Sequence, residues 1–134
     1  MSGVIITRRL LTDSVALLVL VPSARILAGV IPQGTALPCI AVTDISSTDR
    51  DTLSPRAVIK VTERVQITVM GATYAEVKAV LALARKACRN KIGTVGSFTF
   101  VTCRLDGKGP DFTDANAGFA MQSQDLLISF NEPA

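Results

Sequence analysis

Apolar and polar residues alternate along the middle of the chain, starting at Val58. One side of this stretch is apolar and consists of Ile59, Val61, Val65, Ile67 and Val69. The other side is polar and consists of Lys60, Thr62, Arg64, Gln66 and Thr68. A period of two predicts a β-strand with one buried face, and Glu63 is the break on the apolar side. A strand of about 13 residues would span roughly 43 Å, so we expect its outer end to project beyond the core.

A helical pattern follows this strand directly. Gly71 and Ala72 end the strand, and Thr73 with Glu76 has the T-x-x-E spacing of a capping box. Apolar residues then recur at helical spacing, at Val77, Val80, Leu81, Ala84 and Cys88. Basic residues near Lys91 suit the negative end of the helix dipole, and Gly93 is predicted to end the helix.

The segment before the long strand predicts a helical start and two short strands. Residues 4–20 have helical character, and the polar residues 12–14 divide them, with Asp13 as the predicted cap of the second piece. Arg25–Ile31 and Cys39–Ile45 predict strands, separated by a turn-rich loop between two prolines.

The segment Ser46–Arg56 is polar, carries both charges and is closed by Pro55. It predicts a long hairpin loop between two antiparallel strands. We therefore expect one domain, residues 1–134, with a hairpin loop that projects at about residues 46–57.

The end of the chain predicts more strand. Thr94–Leu105 alternates with apolar groups on both faces, which indicates a central strand or one that meets a partner. A turn cluster follows at Asp106–Asp111. Ala117–Phe130 predicts the last strand, with a bulge where the alternation slips near Gln124 and Asp125. The order of elements predicts an α+β fold: an antiparallel sheet of four to five strands, with an N-terminal helix and one long helix packed on one face.

Composition is that of a folded domain with mild charge. Hydrophobic residues make up 49% of the 134 residues, charged residues 19%, and the net charge is +3. The basic residues form no block, so specific nucleic-acid recognition is not indicated. Three cysteines without C-x-x-C spacing predict buried reduced thiols of a protein assembled in the cytoplasm.

The N-terminus is weakly similar to a signal peptide, because Arg8 and Arg9 precede the apolar run Val15–Val21. Polar residues interrupt that apolar region, and the run is too short to span a membrane. We expect instead a helix or helix pair that covers the sheet, and no membrane partner.

Residues for catalysis are missing from the sequence. The chain has no histidine, which excludes Ser-His and Cys-His pairs and a Cys/His metal site. There is no G-x-S-x-G elbow and no phosphate-binding glycine loop in the right context. We therefore predict no catalytic residue, no metal and no cofactor. A small enzyme or ligand-binding domain remains the alternative from another functional class, and it would need an apolar pocket with convergent polar groups.

The order and spacing of four features resemble the tail completion family of tailed phages, the tail terminator or tail-to-head joining proteins. The features are the N-terminal helix with Ile31–Pro38 leading into strand Cys39–Val42, the Ser46–Pro55 loop, the strand Val65–Val69 followed by the helix start Ala72–Ala79, and the final hairpin with its aspartate-rich turn. The resemblance covers about residues 4–131.

The resemblance implies a structural virion protein without catalysis, located in the neck region of the tail. It implies a homo-oligomer, a hexameric ring at the head-proximal end of the tail tube. Such a ring would stop tube polymerisation and meet the tail tube protein on one side and the head-tail connector or stopper on the other. Another neck or connector component, or a tail tube subunit, remains the alternative, in a phage or a gene-transfer particle.

The projecting hairpin is our candidate for subunit or partner contact. A ring made by rotation needs two different surfaces on each subunit, and projecting strands invite strand addition. The candidate contact residues are Thr48, Asp49, Arg50, Asp51, Arg56, Lys60 and Glu63. Glu63 is interpreted as an edge or interface position that marks where the strand leaves its own core.

Overall fold

The computed structural model confirms the α+β class. It describes residues 2–29, 31–32, 34–50, 58–96, 98–109, 112–114 and 118–133. The helices are α1 (Ser2–Thr12), α2 (Val15–Leu20) and α3 (Tyr74–Cys88), with a 3-10 turn at Ser23–Arg25. The strands are β1 (Ile26–Ala28), β2 (Cys39–Arg50), β3 (Val58–Gly71), β4 (Lys91–Val95), β5 (Phe98–Lys108), β6 (Phe112–Asp114) and β7 (Phe119–Pro133).

The described strands form one sheet in the order β1-β2-β3-β7-β5-β4, and β6 pairs with β7. β1 runs parallel to β2, and the other neighbours are antiparallel. The long strand β3 lies in the centre and pairs with β7 from Val58↔Pro133 to Gly71↔Ala120. The predicted long strand is therefore confirmed, and its whole length is paired on the β7 side.

One face of the sheet carries the core. Along β3, Val61, Val65, Ile67 and Val69 are buried, as the alternation predicts. The apolar stripe of α3, including Val80 and Leu81, belongs to the same buried cluster, together with residues of α1 and α2. Both predicted helical regions therefore pack on one face, and we call the opposite face of the sheet the open face.

The helix α3 begins as predicted and ends earlier than predicted. The Thr73 side chain accepts a hydrogen bond from the Glu76 N–H at 3.2 Å, so the cap is present at that position. The helix ends at Cys88, and Asn90 takes a left-handed conformation with φ 52°. Asparagine tolerates this conformation and is a common helix terminator, so Asn90 rather than Gly93 ends the helix.

The predicted strand Thr94–Leu105 is a hairpin instead. β4 begins at Lys91 and pairs antiparallel with β5, and Gly96 takes a left-handed φ of 59° between them. The prediction missed this hairpin because the turn interrupts an alternation that continues on both sides of it.

The predicted irregularity near Gln124 is present in the pairing of β7 with β5, where the register shifts between Leu105↔Leu126 and Lys108↔Gln124. The extra residue lies in β5, so β7 itself has no bulge. β7 follows β3 without a register shift, and Gln122 and Gln124 lie on the buried face. The Gln122 amide donates to the Gly109 carbonyl at 3.0 Å, and the Gln124 amide donates to the Gly107 carbonyl at 3.1 Å. These buried glutamines interrupt the apolar alternation, which is why the sequence pattern imitates a bulge.

The N-terminal region forms the expected helix pair. Ser14, rather than the predicted Asp13, caps α2, because the Ser14 side chain accepts a hydrogen bond from the Leu17 N–H. Within the described residues, no helix is long and apolar enough to cross a membrane. Cys39, Cys88 and Cys103 are buried free thiols, as predicted.

Candidate functional site

The outer half of the β2–β3 hairpin brings several predicted contact residues together. The segment predicted as a loop begins as strand, since β2 continues to Arg50. Thr48 pairs with Thr62, Asp49 with Val61 and Arg50 with Lys60. Thr48 and Lys60 are exposed. Asp51 and Arg56 lie outside the described residues, so the structure places four of the seven candidates at one end of the sheet.

Glu63 does not belong to this group. It lies on the central strand β3, is only 4% exposed, and accepts a hydrogen bond at 2.9 Å from the Gly3 N–H at the start of α1. A Cβ atom on Gly3 would crowd Glu63 and lie 3.0 Å from Val65 Cγ2, so glycine permits this close approach. The prediction that Glu63 is an edge position is corrected: it joins α1 to the sheet.

The core continues beyond Glu63. Val61 is 2% exposed, and its partner on β7, Phe130, is fully buried. The Phe130 ring packs edge-on against Phe98, with 5.5 Å between ring centroids. The buried face of β3 therefore continues past Glu63 at least to Val61.

The burial of Glu63 changes its titration. Burial raises the pKa of the Glu63 carboxyl, and a hydrogen bond with Asp44 raises it further. The Gly3 N–H and the charge of the amino terminus lower it, and these effects are smaller than burial. Glu63 and Asp44 thus form a carboxyl pair at the end of a helix, and this pair has a structural role.

β2 has an open edge over its outer half. β1 pairs with β2 only from Ile40 to Val42. Beyond that point, Thr43–Arg50 pairs with β3 on one side, and the structure describes no strand on its other side. We call this segment the β2 open edge. Ile45 is the extra residue at a bulge between Asp44 and Ser46, and its side chain is 50% exposed.

The opposite end of the sheet has a second open edge, at β4. Along Lys91–Val95, Val95 is half-buried and the other residues are exposed. Ile92 is 84% exposed and Phe100, on the neighbouring β5, is 78% exposed. Both side chains line one shallow groove of about 400 Å³, and we call this pair the β4 edge patch.

Phe100 is held in an unusual backbone conformation. Its φ is 52°, at the register shift between Thr99 and Thr102 of β5. A left-handed conformation costs a bulky residue about 1–2 kcal/mol. The fold thus places a large aromatic side chain in solvent at an energetic cost, which is typical of a surface that contacts a partner.

The open face of the sheet carries several polar cross-strand pairs. Arg64 of β3 forms ion pairs with Asp106 and Asp125, the latter at 3.3 Å. The Gln66 amide also donates to Asp125, at 3.3 Å, and the Thr62 and Ser129 hydroxyls lie 3.0 Å apart. These half-exposed cross-strand pairs are typical of an antiparallel sheet with one solvated face.

The described surface also has clefts. One cleft of about 630 Å³ lies between α1 and the β4–β5 turn and includes Ile5, Arg8 and Arg9. Arg8 Nε donates to the Ile26 carbonyl at 2.9 Å, and Arg9 lies 3.8 Å from Asp13, so both arginines have structural partners. No group of three or more metal-binding side chains occurs among the residues that the structure describes.

Sequence reasoning missed Ile45, Ile92 and Phe100 as candidate contact residues. Each is an apolar residue within a strand pattern, and such residues are expected in a core. Two of them lie at register shifts, which no local pattern reveals. The mixed apolar faces of Thr94–Leu105 were the one available signal.

Comparisons with known proteins identify a family and a shared fold. A family model described as tail completion protein gp17 matches residues 6–124. Among solved structures, a chain described as part of the virion of a native gene transfer agent particle is similar, with a TM-score of 0.69 and 16% identity over 98% of this chain and 97% of that chain. At this identity the likeness shows a shared fold. The comparison with curated proteins gave no match.

Proposed function

We propose that this chain, which belongs to the tail completion protein gp17 family, is the tail terminator. As a member of this family it is a structural protein of a virion tail rather than an enzyme. In this role it forms a ring, expected to be a hexamer, at the head-proximal end of the tail tube. The ring ends tube polymerisation and joins the tail to the head connector. The observation that carries the proposal is the family match over residues 6–124.

The structure supports a ring-forming role through its open strand edges. A closed ring needs two different, complementary surfaces on every subunit. The described sheet has an open edge at each end, on β2 and on β4. Unpaired strand edges are ready surfaces for strand addition by another chain.

The outer end of the β2–β3 hairpin is the proposed contact element. The backbones of Thr48, Asp49, Arg50 and Lys60 pair there, and Asp51 and Arg56 lie between Arg50 and Lys60 in the sequence. Exposed ion pairs contribute only about 0–1 kcal/mol each, so these charges would set the register of the contact more than its affinity. Glu63 is excluded from this element because it is buried beneath α1.

Deletion of the gene tests the proposal in the particle. Without the chain we expect separate heads and tails, and tails of irregular length, since nothing stops tube growth or joins the connector. Electron micrographs would give the distribution of tail lengths and the fraction of joined particles. Expression of the wild-type chain in the deletion strain should restore both, and normal joined particles without the chain would refute the proposal.

A further inference from the structure

We propose that the β4 edge patch of one copy receives the β2 open edge of the next copy, so that neighbouring sheets join edge to edge around the ring. This inference rests on the proposed function, because it names the surfaces through which the ring would close. The occupant of the patch is thus a second copy of this chain.

The first argument is the position of the two edges. β4 and the outer half of β2 lie at opposite ends of the same sheet order, and the described residues place no further strand beside either. Contact between unlike edges is heterologous, so each copy keeps one edge open for the next. Repetition of this contact closes a ring or extends a filament.

The second argument is apolar complementarity. The β4 edge patch presents Ile92 and Phe100 around a groove of about 400 Å³. The β2 open edge presents Ile45, the extra residue of its bulge, half exposed. Burial of these side chains against one another removes apolar surface from water on both copies.

The third argument is charge. Arg89 and Lys91, both exposed, lie at the start of β4, and Arg89–Val95 contains no acidic residue. Thr43–Arg50 has no such basic excess, because its one basic residue, Arg50, stands against Asp49, and Asp44 is hydrogen-bonded to Glu63. The basic residues at β4 therefore disfavour contact between two β4 edges, whereas contact with the β2 open edge avoids this like-charge repulsion.

Another exposed apolar surface exists on α2, where Val15 is 77% and Val19 is 78% exposed. This surface belongs to a helix and not to a strand of the described sheet. We therefore use α2 as the source of matched controls.

Cysteine cross-linking tests the pairing directly. Chains with Ile45→Cys and chains with Ile92→Cys are purified, mixed and treated with diamide. We expect a covalent dimer from the mixture and none from either variant alone, because the contact joins unlike edges. The native thiols are buried and should not compete. A mixture of Ile45→Cys and Val15→Cys chains is the control and should give no dimer.

The variant Phe100→Gly separates assembly from folding. Glycine adopts a φ of 52° without strain, so the monomer should keep or gain stability while the aromatic contact is lost. We expect the apparent dissociation constant of the oligomer to rise roughly tenfold or more, as for an interface hot spot. Native mass spectrometry measures the fraction of chains in the oligomer. The control is Val19→Ser, which removes an exposed apolar side chain from α2. Serine is chosen there because glycine would destabilise the helix.

The outcomes distinguish this inference from the proposed function. In one outcome, wild-type and Phe100→Gly chains assemble equally well, and the mixture of Ile45→Cys and Ile92→Cys chains gives no cross-link. The proposed edge pairing is then wrong, while the proposed ring function stands. If wild-type chains stay monomeric both alone and beside tail tubes, the ring function fails and this inference fails with it. A cross-link within Ile92→Cys chains alone would show a symmetric contact and would also overturn the pairing.

Discussion

At the scale of single residues, Glu63 shows how one buried carboxylate fixes a helix to a sheet. It is 4% exposed, accepts a hydrogen bond from Gly3, and has a raised pKa mainly because of burial. Its pKa in the folded state lies above the ordinary value of 4.5, so the folded state binds its proton more tightly than the unfolded state does. By linkage, the contribution of Glu63 to stability falls as pH rises from about the ordinary value to the raised value.

We predict that Glu63→Gln removes this loss. Glutamine can still accept from Gly3 and donate to Asp44, and it carries no charge to bury. The free energy of unfolding of the variant should therefore gain on that of the wild type as pH rises above 4.5, and the difference should level off above the raised pKa. Urea unfolding across this pH range measures the difference.

Two further variants check the argument on Glu63. Asp13→Asn is the surface control, because this side chain is 67% exposed, and its free energy of unfolding should stay within about 0.5 kcal/mol of wild type. Glu63→Ala leaves the Gly3 N–H without its acceptor, so the free energy of unfolding should fall by about 1–3 kcal/mol. The prediction would be contradicted if the free energy of unfolding of Glu63→Gln fell relative to that of wild type as pH rises.

At the scale of elements, β3 and α3 could be predicted from sequence because each has a regular period over many residues. The β4–β5 hairpin and the continuous strand β7 could not be predicted from sequence. Gly96 turns the chain within one continuing alternation, and Gln122 and Gln124 occupy buried positions where the pattern requires apolar residues. What makes those glutamines acceptable is tertiary: the carbonyls of Gly107 and Gly109 come from another strand and its turn.

We predict that Gln122→Met destabilises the fold by about 1–3 kcal/mol. Methionine matches the length of glutamine but cannot donate to the Gly109 carbonyl at 3.0 Å or accept from Lys78 Nζ at 2.6 Å. Urea unfolding gives the change. Gln66→Met is the matched control, since Gln66 lies half-buried on the open face of the same sheet, where water can replace its hydrogen bond. That variant should stay within about 0.5 kcal/mol of wild type, and equal losses at both positions would contradict the role of Gln122.

At the scale of the whole molecule, the fold is one sheet with a helical layer on one face and an open edge at each end. Part of the candidate surface could be predicted, because the polar segment that starts at Ser46 coincides with the outer end of the β2–β3 hairpin. The other part could not, since the exposure of Ile92 and Phe100 depends on β4 being the last strand of the described sheet. Strand order is a property of the assembled fold and is not encoded in any local pattern.

The most direct test of the central claim is an electron-microscopy reconstruction of the neck of complete particles. We predict a single ring of this chain between the last ring of the tail tube and the head connector. A chain that instead repeats along the length of the tube, or that lies within the connector, would contradict its role as tail terminator.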